Sequence, residues 1–146
     1  MKTDPKARYQ GYQFFFREGF CWNNVLNPNA RLLKTKLKQA TVNDVGSMSL
    51  MSVSYLPNAF FVSLLNSNFL FDYYRQFINC TVNIQINDLR QIPIIIPTEN
   101  ELNEFLDLFY KIYSIKKESG SDEPNSLKDY EKQLDNLVNS LYSVDI

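Results

Sequence analysis

The stretch "PNAFFVSLLNSNFLFDYYRQF", residues 57–77, decides the fold. No residue from Asn58 to Phe71 carries a charge. A helix that is apolar all round has no face to offer to water and must be covered on every side. Pro57 suits the first position of such a helix, and Asn66-Ser67 interrupts the run. The sequence therefore predicts a buried helix broken near Asn66 and Ser67.

Working outward, residues 12 to about 54 read as short strands with polar breaks. "YQFFF" (12–16) and "FCWNNV" (20–25) are aromatic and β-branched, with the turn-forming Gly19 between them. "NPNAR" (27–31) is a turn by its Asn and Pro content. "RLLKTKLK" (31–38) alternates imperfectly. "SMSLMSVSYL" (47–56) alternates cleanly, setting Met48, Leu50, Met51 or Val53 on a buried side. On the other flank, "TVNIQI" (81–86) resumes alternation, "DLRQ" (88–91) reads as a tight turn, and "IPIII" (92–96) as a short strand. Pro93 has no N–H to give a ladder, so that strand is an edge. Its isoleucines are expected in the core where sheet meets helices.

After Pro97 the period becomes helical. Thr98 and Glu101 form a capping box, and Leu102, Phe105, Leu106, Phe109, Ile112 and Tyr113 follow on one face. "ESGSDEPN" (118–125) is a loop, Ser126 with Asp129 a second cap, and Leu127, Tyr130, Leu134, Leu137, Val138 and Leu141 a second stripe. Two such helices joined by about eight residues make an antiparallel hairpin. The fold class is α+β: a small mixed or antiparallel sheet with a buried helix, then a C-terminal two-helix hairpin. Two units are expected, 1–97 and 98–146.

The chain has no histidine, which removes Ser-His-Asp and Cys-His catalysis and the commonest zinc ligand. Its two cysteines, Cys21 and Cys80, are expected to be buried free thiols. There is no glycine-rich phosphate loop. Asp129, Glu131 and Lys132 do not form a metal-dependent nuclease set. We expect no catalytic residue, no metal and no cofactor in this chain. No apolar run is long enough to span a bilayer, and "MKTDPKARYQ" lacks the apolar centre of a secretion signal. A cytoplasmic, non-membrane protein is expected.

The net charge of −1 hides a polarity. Residues 1–38 hold eight Lys/Arg against two Asp/Glu, a net of +6; residues 98–146 hold five Lys against eleven Asp/Glu, a net of −6. The first third suits an anion and the last third repels one.

Four blocks in order resemble the target-recognition domains of bacterial restriction–modification enzymes. They are "FFFREGFCWNNV" (14–25), "FFVSLLNSNFLFDYY" (60–74), "NIQINDLRQIPIIIP" (83–97) and "YEKQLDNLVNSLYSV" (130–144). The first three look like the strand pair, Leu-Asn-Ser helix and Ile-Pro segment of TaqI-like and type IIG specificity domains, which are related to type I specificity subunits. The fourth is similar to the Leu-Tyr tail of fused type IIG chains. The Asn/Asp-Pro-Pro-aromatic methyltransferase motif is missing; "NPNA" (27–30) lacks the second Pro and the aromatic.

The resemblance implies sequence-specific recognition of double-stranded DNA. Catalysis would belong to methyltransferase or endonuclease domains, on the same or a partner chain, using S-adenosylmethionine, and Mg where the parent also cleaves. No base-reading residue carries over from it. Chemistry alone nominates Arg17, Arg31, Lys34, Lys36 and Lys38 for phosphates or guanines, and Asn23, Asn24, Asn27 and Gln39 for base edges. Trp22 is expected in the core, and Asn66 and Ser67 in internal hydrogen bonds. The alternative is a protein-interaction module docking through its acidic hairpin, which the pI of about 5.4 favours.

Overall fold

The computed structural model describes residues 11–43, 46–119 and 124–143. Strand β1 (Gly19–Asn23) is central, with β2 (Lys36–Lys38) and β3 (Ser47–Leu50) antiparallel on either side, in the order β2-β1-β3. Phe20, Cys21 and Trp22 on β1 are all buried, as a central strand requires. Trp22 donates its indole N–H to the Ile84 carbonyl at 3.4 Å and sits in the core as expected. Gly19 admits no side chain, because a Cβ there would lie 2.3 Å from the Leu50 carbonyl oxygen.

The all-apolar stretch forms α1 (Asn58–Leu65) and α2 (Asn68–Tyr73), broken at Asn66-Ser67 as the sequence predicts. Pro57 stands one residue before α1, at its cap. The Ser67 hydroxyl accepts from the Leu70 N–H and donates to the Leu64 carbonyl, closing one helix and opening the next. The α1 helix is covered from two directions. Phe61 stacks on Phe20 of β1 with centroids 5.6 Å apart, and Phe60 meets Phe105 edge-on at 5.2 Å. Phe105 belongs to α4 (Glu99–Glu118), which pairs with α5 (Asn125–Tyr142) as the expected antiparallel hairpin. Thr98 and Glu101 form the predicted capping box. The aromatic seam joins the hairpin to the sheet side, and one hydrophobic cluster includes residues of both.

Other segments depart from the sequence expectation. Residues 12–16 are not a strand: Tyr12–Phe14 form a 3-10 turn, and Phe16 has a left-handed backbone with φ 59°. Aromatic residues favour a strand only against a neighbouring strand, and this segment has no strand pairing. Residues 81–86 make only an isolated bridge, Asn83 to Val25, before a short helix α3 (Ile86–Leu89) replaces the expected turn. Asp88 drives that change, since its Oδ2 accepts from the Gln85 N–H at 2.9 Å, the Asn79 amide at 2.8 Å and the Tyr74 hydroxyl at 3.3 Å. The preceding turn, Tyr74–Ile78, is widened into a π-helix. Residues 92–96 join no ladder, and of the four isoleucines only Ile92 is buried; Ile94, Ile95 and Ile96 are exposed, Ile96 at 66%. Pro93 inside that segment and Pro97 just after it have no N–H to give a ladder. The second cap falls at Pro124, so Ser126 lies inside α5.

Cys21 is a buried free thiol, but Cys80 is exposed. Met51 and Val53 lie beyond the end of β3, Val53 96% exposed, and of the four apolar residues expected inward only Met48 and Leu50 pack against the core. Residues 120–123 of the expected loop, and the cations Lys2, Lys6 and Arg8, lie outside the described residues.

Gly19→Ala is expected to lower the unfolding free energy by about 2 kcal/mol, the ordinary cost of overpacking, read as a shift of the urea midpoint. Tyr74 titrates well above its ordinary 10.0, chiefly through burial and then through the Asp88 charge. A raised folded value stabilises the fold below pH 10 and is lost as pH climbs toward the folded value. Thermal stability should therefore fall from about pH 10 upward, and less steeply in Tyr74→Phe.

Candidate functional site

The segment between β1 and β2 is held by its main chain. The Asn66 side chain reaches across from the α1–α2 break, accepts the Thr35 N–H at 2.8 Å and donates to the Thr35 carbonyl at 2.8 Å. The Thr35 hydroxyl adds bonds to Asn66 Oδ1 at 3.2 Å and the Val62 carbonyl at 3.5 Å. An amide side chain thus satisfies both main-chain groups of one residue, as a partner strand would. Next to it, Lys34 has φ 53°, a left-handed conformation that costs a non-glycine residue on the order of 1 kcal/mol.

This arrangement sets Arg31, Lys34 and Lys36 along one rim of a cleft of about 750 Å³. The side chains of all three are exposed and form no hydrogen bond or salt bridge among the described residues. The floor comes from Leu37, Val62 and Ser63, and the far wall from Phe109, Ile112 and Tyr113 of α4 with Leu134 of α5. Two carboxylates also line the cleft, and both are engaged. Glu131 pairs with Lys116 at 2.6 Å; Asp135 accepts the Asn68 N–H at 3.0 Å and the Asn68 side-chain amide. The four cations of the lining, Arg31, Lys34, Lys36 and Lys116, outnumber these two carboxylates, so the cleft keeps a net positive charge.

The other nominated residues are not gathered there. Lys38 is buried, and its ammonium donates to the Arg17 carbonyl at 2.5 Å and the Gln39 carbonyl at 3.3 Å. Its charge is turned inward, away from any phosphate. Arg17 is exposed beyond the start of β1, its guanidinium 5.8 Å from the centre of the Phe14 ring. Asn23 and Asn24 stand at the opposite end of β1. Asn27 folds its side chain onto the Asn29 N–H at 2.9 Å, making the predicted turn. Gln39 is exposed beside Lys38. Asn66 and Ser67 make the internal bonds expected of them.

Sequence reasoning missed the hairpin's share of the cleft, Tyr113, Lys116, Glu131 and Asp135. Tyr113 belongs to an apolar stripe in the sequence, and the helical period alone carries no sign that these residues meet residues 31–37. Among the described residues no group of three or more acids and cysteines is placed to hold a metal ion, and no helix is long and apolar enough to cross a membrane. No family model, curated protein or solved structure matches the chain.

Removing the amide clasp leaves the Thr35 N–H and C=O without partners. Asn66→Ala should destabilise the fold by about 2 kcal/mol, measured by urea unfolding. Asn66→Asp should not restore it, because a carboxylate supplies no donor to the Thr35 carbonyl.

Proposed function

We propose that this chain is the non-catalytic DNA-recognition part of a restriction–modification enzyme, binding double-stranded DNA while methyltransferase or endonuclease domains elsewhere act on it. The observation that carries this reading is the unpaired rim of Arg31, Lys34 and Lys36, held in place by the Asn66–Thr35 clasp. Cations without internal partners are free to displace counterions from phosphates, and that exchange dominates the affinity of most DNA-binding proteins. The resemblance of the four sequence blocks to target-recognition domains supports the same reading. Exposed Arg17, Asn23, Asn27 and Gln39 and half-buried Asn24 are the further candidates for phosphate or base contact; Lys38 is not among them. The −6 charge belongs to the hairpin segment and not to the rim, so an acidic pI is compatible with a cationic contact surface. The reading places the chain in a bacterial cytoplasm, working beside S-adenosylmethionine-dependent domains.

A second reading, docking onto another protein, is favoured by the exposure of Ile94, Ile95 and Ile96, which the sequence would have put in the core. Exposed contiguous apolar side chains commonly mark contact surfaces.

Fluorescence anisotropy with a labelled duplex across a salt series separates the two. The chain should bind weakly at low salt, with log K falling linearly in log[salt]. Each of Arg31→Ala, Lys34→Ala and Lys36→Ala should flatten that slope by about 0.9, whereas Lys38→Ala should leave the slope alone and lower the melting temperature. No duplex binding at low salt, or slopes indifferent to the three rim substitutions, would sink the DNA reading.

A further inference from the structure

The cleft behind the rim differs from a duplex-binding surface in size and chemistry. At about 750 Å³ it is far too small for a double helix, and it falls within the range of roughly 300–1,000 Å³ typical of pockets for one small ligand. Residues 31–37 contribute Arg31, Lys34 and Lys36; the hairpin contributes the apolar and aromatic Phe109, Ile112, Tyr113 and Leu134, with Lys116, Glu131 and Asp135 beside them. The Tyr113 ring lies nearly parallel to Phe109, with centroids 6.0 Å apart and planes 20° from each other. Phe109 is buried and backs the pair, while Tyr113 is 39% exposed at the cleft. Arg31, Lys34, Lys36 and Lys116 outnumber Glu131 and Asp135 in the lining, so the cleft favours an anion over a cation. A flat apolar body carrying a negative charge fits both walls at once.

We propose that this cleft takes a single unpaired nucleotide, its base against Tyr113 and its phosphate on Arg31, Lys34 and Lys36. The proposal rests on the reading of the rim as a phosphate-binding edge, and adds a second, single-stranded mode of contact. Stacking on an aromatic ring tolerates any base, since every base has a π-face. The helical hairpin then becomes one wall of a binding site as well as a support for the sheet.

The test compares a labelled thymidylate hexamer with a labelled duplex at low salt, using the full chain. The hexamer should bind; Tyr113→Ala should weaken it by about tenfold or more, and Tyr113→Phe by less than about twofold, because the ring remains. Should Tyr113→Ala lose its fold by circular dichroism, Tyr113→Leu keeps the packing on Phe109, removes the aromatic face and is expected to show the same loss. Lys34→Ala should weaken hexamer and duplex alike. A hexamer affinity indifferent to the Tyr113 substitutions overturns the proposal, as does a glutamate hexamer competing as well as thymidylate, which would reduce the cleft to charge alone. Duplex binding without hexamer binding overturns it while leaving the DNA reading intact. Tyr113-dependent hexamer binding without duplex binding upholds it and removes the duplex reading instead.

Discussion

Everything in this molecule is arranged around a helix that cannot face water. Phe60, Leu64 and Leu70 are completely shielded, and each fully buried side chain of this kind contributes on the order of 2 kcal/mol. A three-stranded sheet covers one side of α1 only. The hairpin supplies more cover through Phe105, and the contact of Phe60 with Phe105 is where the two parts become one core. The clefts and rims follow from that geometry. Where α1 breaks at Asn66-Ser67 the chain needs polar partners inside a packed interior, and Asn66 takes the main chain of Thr35 while Ser67 starts the next helix.

The hairpin's position is reinforced away from the aromatic seam. Asp135 of α5 accepts from the first residue of α2, satisfying an N–H that a helix start leaves unpaired. At the C-terminal end of α5 the Tyr142 hydroxyl donates to the Pro93 carbonyl at 2.7 Å, and its ring lies 5.0 Å from that of Phe69. Burial pushes the Tyr142 hydroxyl up from its ordinary value. These contacts hold one wall of the cleft opposite residues carried by the sheet.

The elements legible in the sequence were those whose signals are local and repeated. The broken α1–α2 run, the Thr98–Glu101 box and both apolar stripes of the hairpin could be read because helical hydrogen bonds close within the segment. Strand readings held only where a partner existed. Trp22 and its neighbours have β2 and β3; Tyr12–Phe16, Val82–Ile86 and Ile92–Ile96 have the composition of strands and no ladder to join. Composition carries no information about a distant partner. For the cleft, the three rim cations were visible as a basic cluster. Lys38 could not be told from them, because its inward turn depends on carbonyls of Arg17 and Gln39 brought together by strand pairing. Tyr113 was hidden for the converse reason: a helical stripe looks the same whether it ends in a core or at the lip of a cleft.

The Asn66 amide grips main-chain atoms of Thr35 and asks nothing of the side chains at Arg31, Lys34 and Lys36. Scaffold and surface are thereby uncoupled. Changes at those three positions can accumulate without disturbing the frame, and at position 34 the left-handed backbone would accept Asn or Gly more readily than Lys. Such a molecule can drift in what it touches while keeping what it is, which makes its rim a natural place for related sequences to diverge first.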